Sequence, residues 1–164
     1  MQKYLKVSLL IFIALAISRL IPHPPNFTSL IALGFYVPAL LGVIYIPIVV
    51  ISFAITDIFF GFHNTIFFTW GSILMIGYLS KYFNETLILR FGGVLLSALI
   101  FYSVTNFGVW ITGVHGENLN NLPQTYALGL PFFGYSLVST LFFSFVIEIA
   151  YKLFKIKIRT QTEF

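Results

Sequence analysis

Apolar residues run along this chain in long blocks, with the polar residues gathered between them. Four blocks stand clear: Leu5–Ile21, Ile66–Ser80, Phe91–Ile111 and Ala127–Tyr151. Three approach the roughly 20 residues that a helix needs to cross a bilayer, and Ile66–Ser80 is short. A fifth block, Ser29–Phe62, contains Asp57 as its single charge. As one helix it would be about 50 Å long, against a hydrocarbon core of about 30 Å. Pro38, Gly42 and Pro47 cluster at its middle, where a reversal fits. The pattern therefore predicts six helices, over about 5–21, 29–41, 43–60, 66–80, 91–111 and 127–151. They form one transmembrane domain covering 1–164, with a basic cytoplasmic tail from 152.

Composition agrees with this reading. The chain is 59% hydrophobic and 9% charged, where a soluble domain carries about 25% charged residues. Its mean hydropathy is +0.96. The expected class is an all-α integral membrane protein whose first partner is the lipid bilayer. With no cysteine, disulfides, thiolate metal sites and cysteine nucleophiles are excluded. The net charge of +4 is too thinly spread for a nucleic-acid surface. Lys3 and Lys6 ahead of an apolar stretch imitate a signal peptide, but a retained first span fits the other spans better.

The cations orient the chain. Six spans with both ends cytoplasmic place Lys3, Lys6, Lys81, Arg90, Lys152, Lys155, Lys157 and Arg159 inside and only Arg19 outside. That is a strong positive-inside bias, which puts both ends on the cytoplasmic side of the membrane. Five spans with an outer amino terminus leave only Lys3 and Lys6 outside, and the two topologies differ in where they put residues 22–28. Six is the preferred count.

The six-span topology gathers the uncommon polar residues at the outer end. Arg19 closes the first block and Pro22-His23-Pro24-Pro25-Asn26-Phe27-Thr28 follows. Its prolines fix their own φ, lack backbone donors and bias their predecessors towards extended backbone. The segment reads as a rigid helix stop or as the preformed rim of a binding site. His63, His115, Asn64, Glu117, Asn118, Asn120 and Asn121 fall at the same end.

A charge at mid-membrane costs about 2.5–3.5 kcal/mol on insertion scales, so Arg19 and Asp57 each need a partner or a wet cavity. They lie at equivalent depths in spans one and three and are expected to pair. Two readings stay open. The pair is structural, with Arg19 snorkelling to headgroups as a variant, or Arg19 grips a ligand carboxylate or phosphate bidentately. In the second case Asp57 orients Arg19 or binds a ligand amine. Asn106 and Trp110 are i,i+4 within Thr105-Asn106-Phe107-Gly108-Val109-Trp110 and share a helix face. An amide beside an aromatic wall suits a planar heterocycle; the indole alone reads equally as an interface anchor. The segment from Tyr126 to Phe133 either completes the cavity or packs aromatics at a helix entrance. The candidate substrate-binding residues are Arg19, His23, Asn26, Thr28, Asp57, Asn106, Phe107 and Trp110.

Other chemistry finds less footing. The histidines lie 40 and 52 residues apart with no His-x-x-x-His pair, so no metal or cofactor is expected. Glu148 is expected to pair with Lys152 at i,i+4. No paired-carboxylate motif, Gly-x-Ser-x-Gly, phosphate loop or His-Glu-x-x-His occurs, and no enzyme is expected. A membrane enzyme acting on an outer-leaflet lipid would need His23 or His115 as base and Asp57 as orienter. No internal repeat points to a transporter of inverted halves.

Taken in order, Arg19-x-x-Pro22-His23-Pro24-Pro25-Asn26-Phe27-Thr28, Asp57-x-x-x-Gly61, Thr105 to Trp110 and Pro131-Phe132-Phe133 resemble a bacterial family of small multi-span membrane proteins of unknown function. More loosely, size and layout are similar to the substrate-binding (S) components of energy-coupling factor transporters, six-helix proteins with both ends cytoplasmic that capture vitamins or metal ions near the outer face. Ala14-x-x-x-Ser18 stands where those proteins often carry Ala-x-x-x-Ala, and the histidine-bearing amino terminus of their nickel and cobalt members is absent. The likeness implies an S-component-like fold, a small-molecule solute and transporter subunits as partners. The function expected is capture of a small anionic or zwitterionic planar solute at the outer face. A non-catalytic membrane scaffold or assembly subunit is the alternative.

Overall fold

A computed structural model describes residues 2–113 and 121–154 of the chain. His115, Glu117, Asn118, Asn120 and the tail cations Lys155, Lys157 and Arg159 lie outside the described residues. Six α-helices follow one another: α1 (Gln2–Leu20), α2 (Leu30–Leu41), α3 (Ile46–Phe60), α4 (Ile66–Leu79), α5 (Leu87–Ile111) and α6 (Leu122–Phe154). Short 3-10 turns at Val43–Tyr45 and Ser80–Tyr82 precede α3 and follow α4. Three helical stretches, Val43–Phe60, Leu87–Ile111 and Leu122–Leu153, are long and apolar enough to cross a membrane.

Local chemistry sets the helix ends. The 29–62 block breaks at Gly42, whose φ of 103° suits glycine, whereas Pro38 is accommodated inside α2. Thr86 caps α5 by accepting a hydrogen bond from the Leu89 amide at 3.2 Å. The helix expected from Phe91 therefore starts at Leu87 and takes Arg90 into its first turn. Asn121 Oδ1 accepts from the Gln124 amide at 2.8 Å, which opens α6 at Leu122 rather than Ala127.

Side-chain bonds between helix ends fix their directions. Ser18 and Ser29 pair at 2.8 Å between the end of α1 and the start of α2. Tyr102 Oη donates to the Tyr126 carbonyl at 2.6 Å, and Tyr126 Oη to the Ser103 carbonyl at 2.7 Å, which locks α5 against α6 as a hairpin. The bundle is built around α2, which packs against each of the other five helices. Every residue from Leu30 to Ala39 is buried, as a helix apolar on all sides requires. Its core partners include Leu15, Val49, Ile73, Ile76 and Val94.

Polarity is inverted relative to a water-soluble bundle. Large apolar side chains face outward, among them Phe59, Phe67 and Ile88. Ser52, Thr56, Ser72, Ser97, Ser136, Ser139 and Thr140 are buried. Several of these hydroxyls return to their own helix: Ser72 donates to the Thr69 carbonyl and Ser97 to the Gly93 carbonyl, each at 2.7 Å.

One sequence expectation is overturned at the end where α5 begins and α6 finishes. Glu148 does not pair with Lys152. Its carboxylate receives Arg90 Nε at 2.5 Å and Nη2 at 3.1 Å, with Tyr36 Oη donating at 2.9 Å. Arg90 Nη1 reaches the Asn84 carbonyl at 3.0 Å. A rigid guanidinium fork satisfies both carboxylate oxygens, which one turn of helix and a flexible lysine cannot match. Arg90, counted from sequence among the inner cations, is buried.

Candidate functional site

At the opposite end, where α1, α3 and α5 finish and α2, α4 and α6 begin, the helices part around a cavity of about 490 Å³. Its rim is the proline segment. The Phe27 amide bonds the Pro24 carbonyl at 3.0 Å, and Asn26, at φ 62°, occupies the third position of that turn. Proline second and a left-handed residue third is the sequence a type II turn demands, and asparagine tolerates that conformation better than most. Ser139 on α6 ties the turn down through the Asn26 carbonyl at 3.3 Å. Asn26 and Thr28 consequently line the cavity.

Arg19 is the cation of the site. Its Nη1 donates to Asp57 Oδ1 at 2.6 Å and also to Thr56 Oγ1. The guanidinium carbon lies 4.5 Å from the Phe53 ring centroid and 4.8 Å from that of Phe60, within cation–π range. Nε and Nη2 have no hydrogen-bond partner among the described residues. One donor edge of the fork is therefore held by protein and the other remains available in a side chain that lines the cavity.

Five of the eight residues singled out from sequence line this space: Arg19, His23, Asn26, Thr28 and Asn106. The other three do not. Asp57 is wholly buried behind Arg19, and Trp70 Nε1 donates to its Oδ2 at 2.9 Å. Both of its oxygens are thus engaged within the protein. Phe107 turns outward against Phe68 at 6.1 Å and Trp110 at 5.6 Å, so these two do not form the cavity's aromatic wall. Phe53, Phe60, Phe101 and Phe132 supply it instead.

His63, Thr65, Thr69 and Thr105 complete the polar lining, which among the described residues includes no Asp or Glu. His23 Nδ1 lies 2.7 Å from the Pro24 carbonyl. A carbonyl can only accept, so Nδ1 carries the proton and, in the neutral ring, Nε2 is the acceptor. Asn106 Nδ2 donates to the Tyr102 carbonyl at 2.9 Å. Asn106 rests on Gly129, where any β-carbon would collide with its amide. No group of three His, Cys, Asp or Glu side chains able to hold a metal occurs among the described residues, and His115 lies beyond them.

Trp70, Phe53 and Phe60 escaped the sequence reading. Trp70 sits in an apolar block like any interior aromatic. Its signal was depth, since a hairpin of α3 and α4 across the short 61–65 link brings residues 57 and 70 level. Phe53 and Phe60 gave no signal, because the cavity-facing side of an apolar helix differs from its other sides only in the fold.

A family described as "Family of unknown function (DUF6580)" matches residues 1–162. The chain belongs to this family. No curated protein and no solved structure matches it. Membership in DUF6580 agrees with the expectation of a family of unknown function and names no reaction, so the chemistry of the cavity carries the functional reading.

Proposed function

We propose that this member of DUF6580 is a six-span membrane protein that captures a small anionic solute in the cavity beside Arg19. Membrane insertion is supported by the apolar exterior, the buried hydroxyls and the three long apolar helices. The observation that carries the binding reading is the half-occupied guanidinium: Asp57 and Thr56 hold Nη1, while among the described residues Nε and Nη2 have no partner and no carboxylate lines the cavity. Such an edge matches a carboxylate or phosphate, and Asn106, Thr105 and the histidines add neutral hydrogen-bonding groups. The described lining favours an anion over a zwitterion, whose amine would find no counter-charge among those residues. Phenylalanine walls suit a flat body.

Six helices with a cavity at one end is also the layout of S components, and delivery through a partner transporter in a bacterial inner membrane is the role that likeness suggests. The doubly bonded Asp57 fits a second reading, a scaffold in which the ion pair serves packing alone.

A thermal-shift screen of the detergent-solubilised protein against planar carboxylates and phosphates separates the two. A ligand at a hundredfold excess over its Kd adds about 2.7 kcal/mol of stability, and Arg19→Lys should abolish that gain, because lysine lacks the fork. Silence across the panel with both proteins melting normally favours the scaffold.

A further inference from the structure

A second cavity, of about 400 Å³, lies on the other side of the proline segment. Its walls are Ala14 and Ile17 of α1, Pro24 and Phe27 of the segment, and Phe142 and Phe143 of α6. Among the described residues two polar ones touch it, and both are engaged within the protein. Ser18 Oγ donates to the Leu15 carbonyl at 2.9 Å and pairs with Ser29, while His23 Nδ1 is held by the Pro24 carbonyl. Apart from the free edge of the imidazole, this space offers a polar solute nothing.

The cavity occupies a seam. α1 packs on α3 and α2, whereas α6 packs on α5 and α2. Between α1 and α6 the proline segment intervenes, with the Phe27 ring 6.2 Å from both Phe142 and Phe143. Successive residues of that segment face opposite ways: Asn26 and Thr28 line the polar cavity and Phe27 the apolar one. His23 lines both. On the outside of the seam Ile17, Ile21 and Phe142 are more than half exposed, which in a membrane means lipid.

From this juxtaposition we infer that the site takes a single-chain anionic amphiphile, with its carboxylate or phosphate at Arg19 and its alkyl chain running past His23 into the α1–α6 cavity towards the bilayer. The inference rests on the anion-binding reading and specifies the solute class. A flat, compact anion would fill only the first cavity and leave the second without purpose. A detached apolar solute in the second would have no polar group to orient it, whereas a chain anchored at Arg19 uses both.

The test is binding of a homologous series of straight-chain carboxylates, propionate to decanoate, to the full chain in nanodiscs of zwitterionic lipid, with benzoate as the flat anion. Affinity should rise about fourfold per added methylene, the factor expected for burying one CH₂, until the seam is full. Ala14→Phe, at an exposed position of α1, should flatten the series and leave benzoate binding intact. Phe142→Ala should move the plateau to longer chains. Arg19→Lys should weaken every member alike. Benzoate binding with no chain-length dependence overturns this inference and leaves the anion reading standing, as does a slope that Ala14→Phe fails to change, which marks partition into the lipid. Failure of all the anions, benzoate included, overturns both.

Discussion

Trp70 and Asp57 are joined by a 2.9 Å hydrogen bond from the indole Nε1 to Oδ2, which completes a chain from α4 through α3 to Arg19 at the end of α1. Trp70→Phe keeps an aromatic ring beside Phe67 but leaves a buried carboxylate oxygen without its donor. The expected cost is about 1–3 kcal/mol, read as a lowered Tm. Because Asp57 then holds Arg19 less rigidly, anion affinity should fall with it. An unchanged Tm and unchanged affinity would remove Trp70 from the site's support.

At the other end, Arg90 and Glu148 are expected to behave as a unit. Replacing one partner strands a buried charge, and Arg90→Gln or Glu148→Gln should each cost about 3–5 kcal/mol. The double variant should cost much less than the sum of the two. Tyr36→Phe, which removes one donor to the carboxylate, should cost about 1 kcal/mol. A double-mutant cycle on thermal unfolding reads all three, and additive losses would count against the pairing.

Gly129 has a steric reason to lack a side chain. In Gly129→Ala the new methyl meets the Asn106 amide and must push it off the Tyr102 carbonyl or spread α5 from α6. Ligand affinity should drop severalfold in this variant. Gly134→Ala, whose β-carbon meets nothing, should leave affinity unchanged and serves as the control.

The absence of native cysteine allows a direct test of topology. Single-cysteine variants at Pro22 and Glu85, both exposed and at opposite ends of the bundle, should differ in intact cells. Pro22→Cys should label with a membrane-impermeant maleimide at once, and Glu85→Cys only after permeabilisation. Protection of both would put the amino terminus outside and end the six-span topology.

What the sequence disclosed followed from rarity. An arginine and an aspartate in apolar blocks are so costly that their pairing across 38 residues was legible, as was a reversal near Gly42. The proline segment announced a rim for the same reason, since few backbones accept it. Where residues were commonplace, the reading failed. Arg90 and Glu148 looked like ordinary helix-end charges, and a neighbouring lysine offered Glu148 a local partner that the fold bypasses. Trp110 shared a face with Asn106 on paper and Phe107 was read with it as an aromatic wall, yet α4 places Phe68 beside Phe107 and against Gly108, and neither aromatic lines the cavity. Helical periodicity tells which residues travel together and leaves open which neighbour they meet.

The short central helix carries one more implication. At 12 residues α2 is about 18 Å long, well under the thickness of a hydrocarbon core, and its buried stretch from Leu30 to Ala39 meets protein rather than lipid. On the membrane-spanning reading proposed above, a bilayer that thickens or thins is met by tilting of the peripheral helices, while α2 has no acyl chains to answer to. Leu30 and Ile31 at its amino end line the cavity, so on that reading this part of the lining is set by protein packing and should keep its place from one membrane composition to the next.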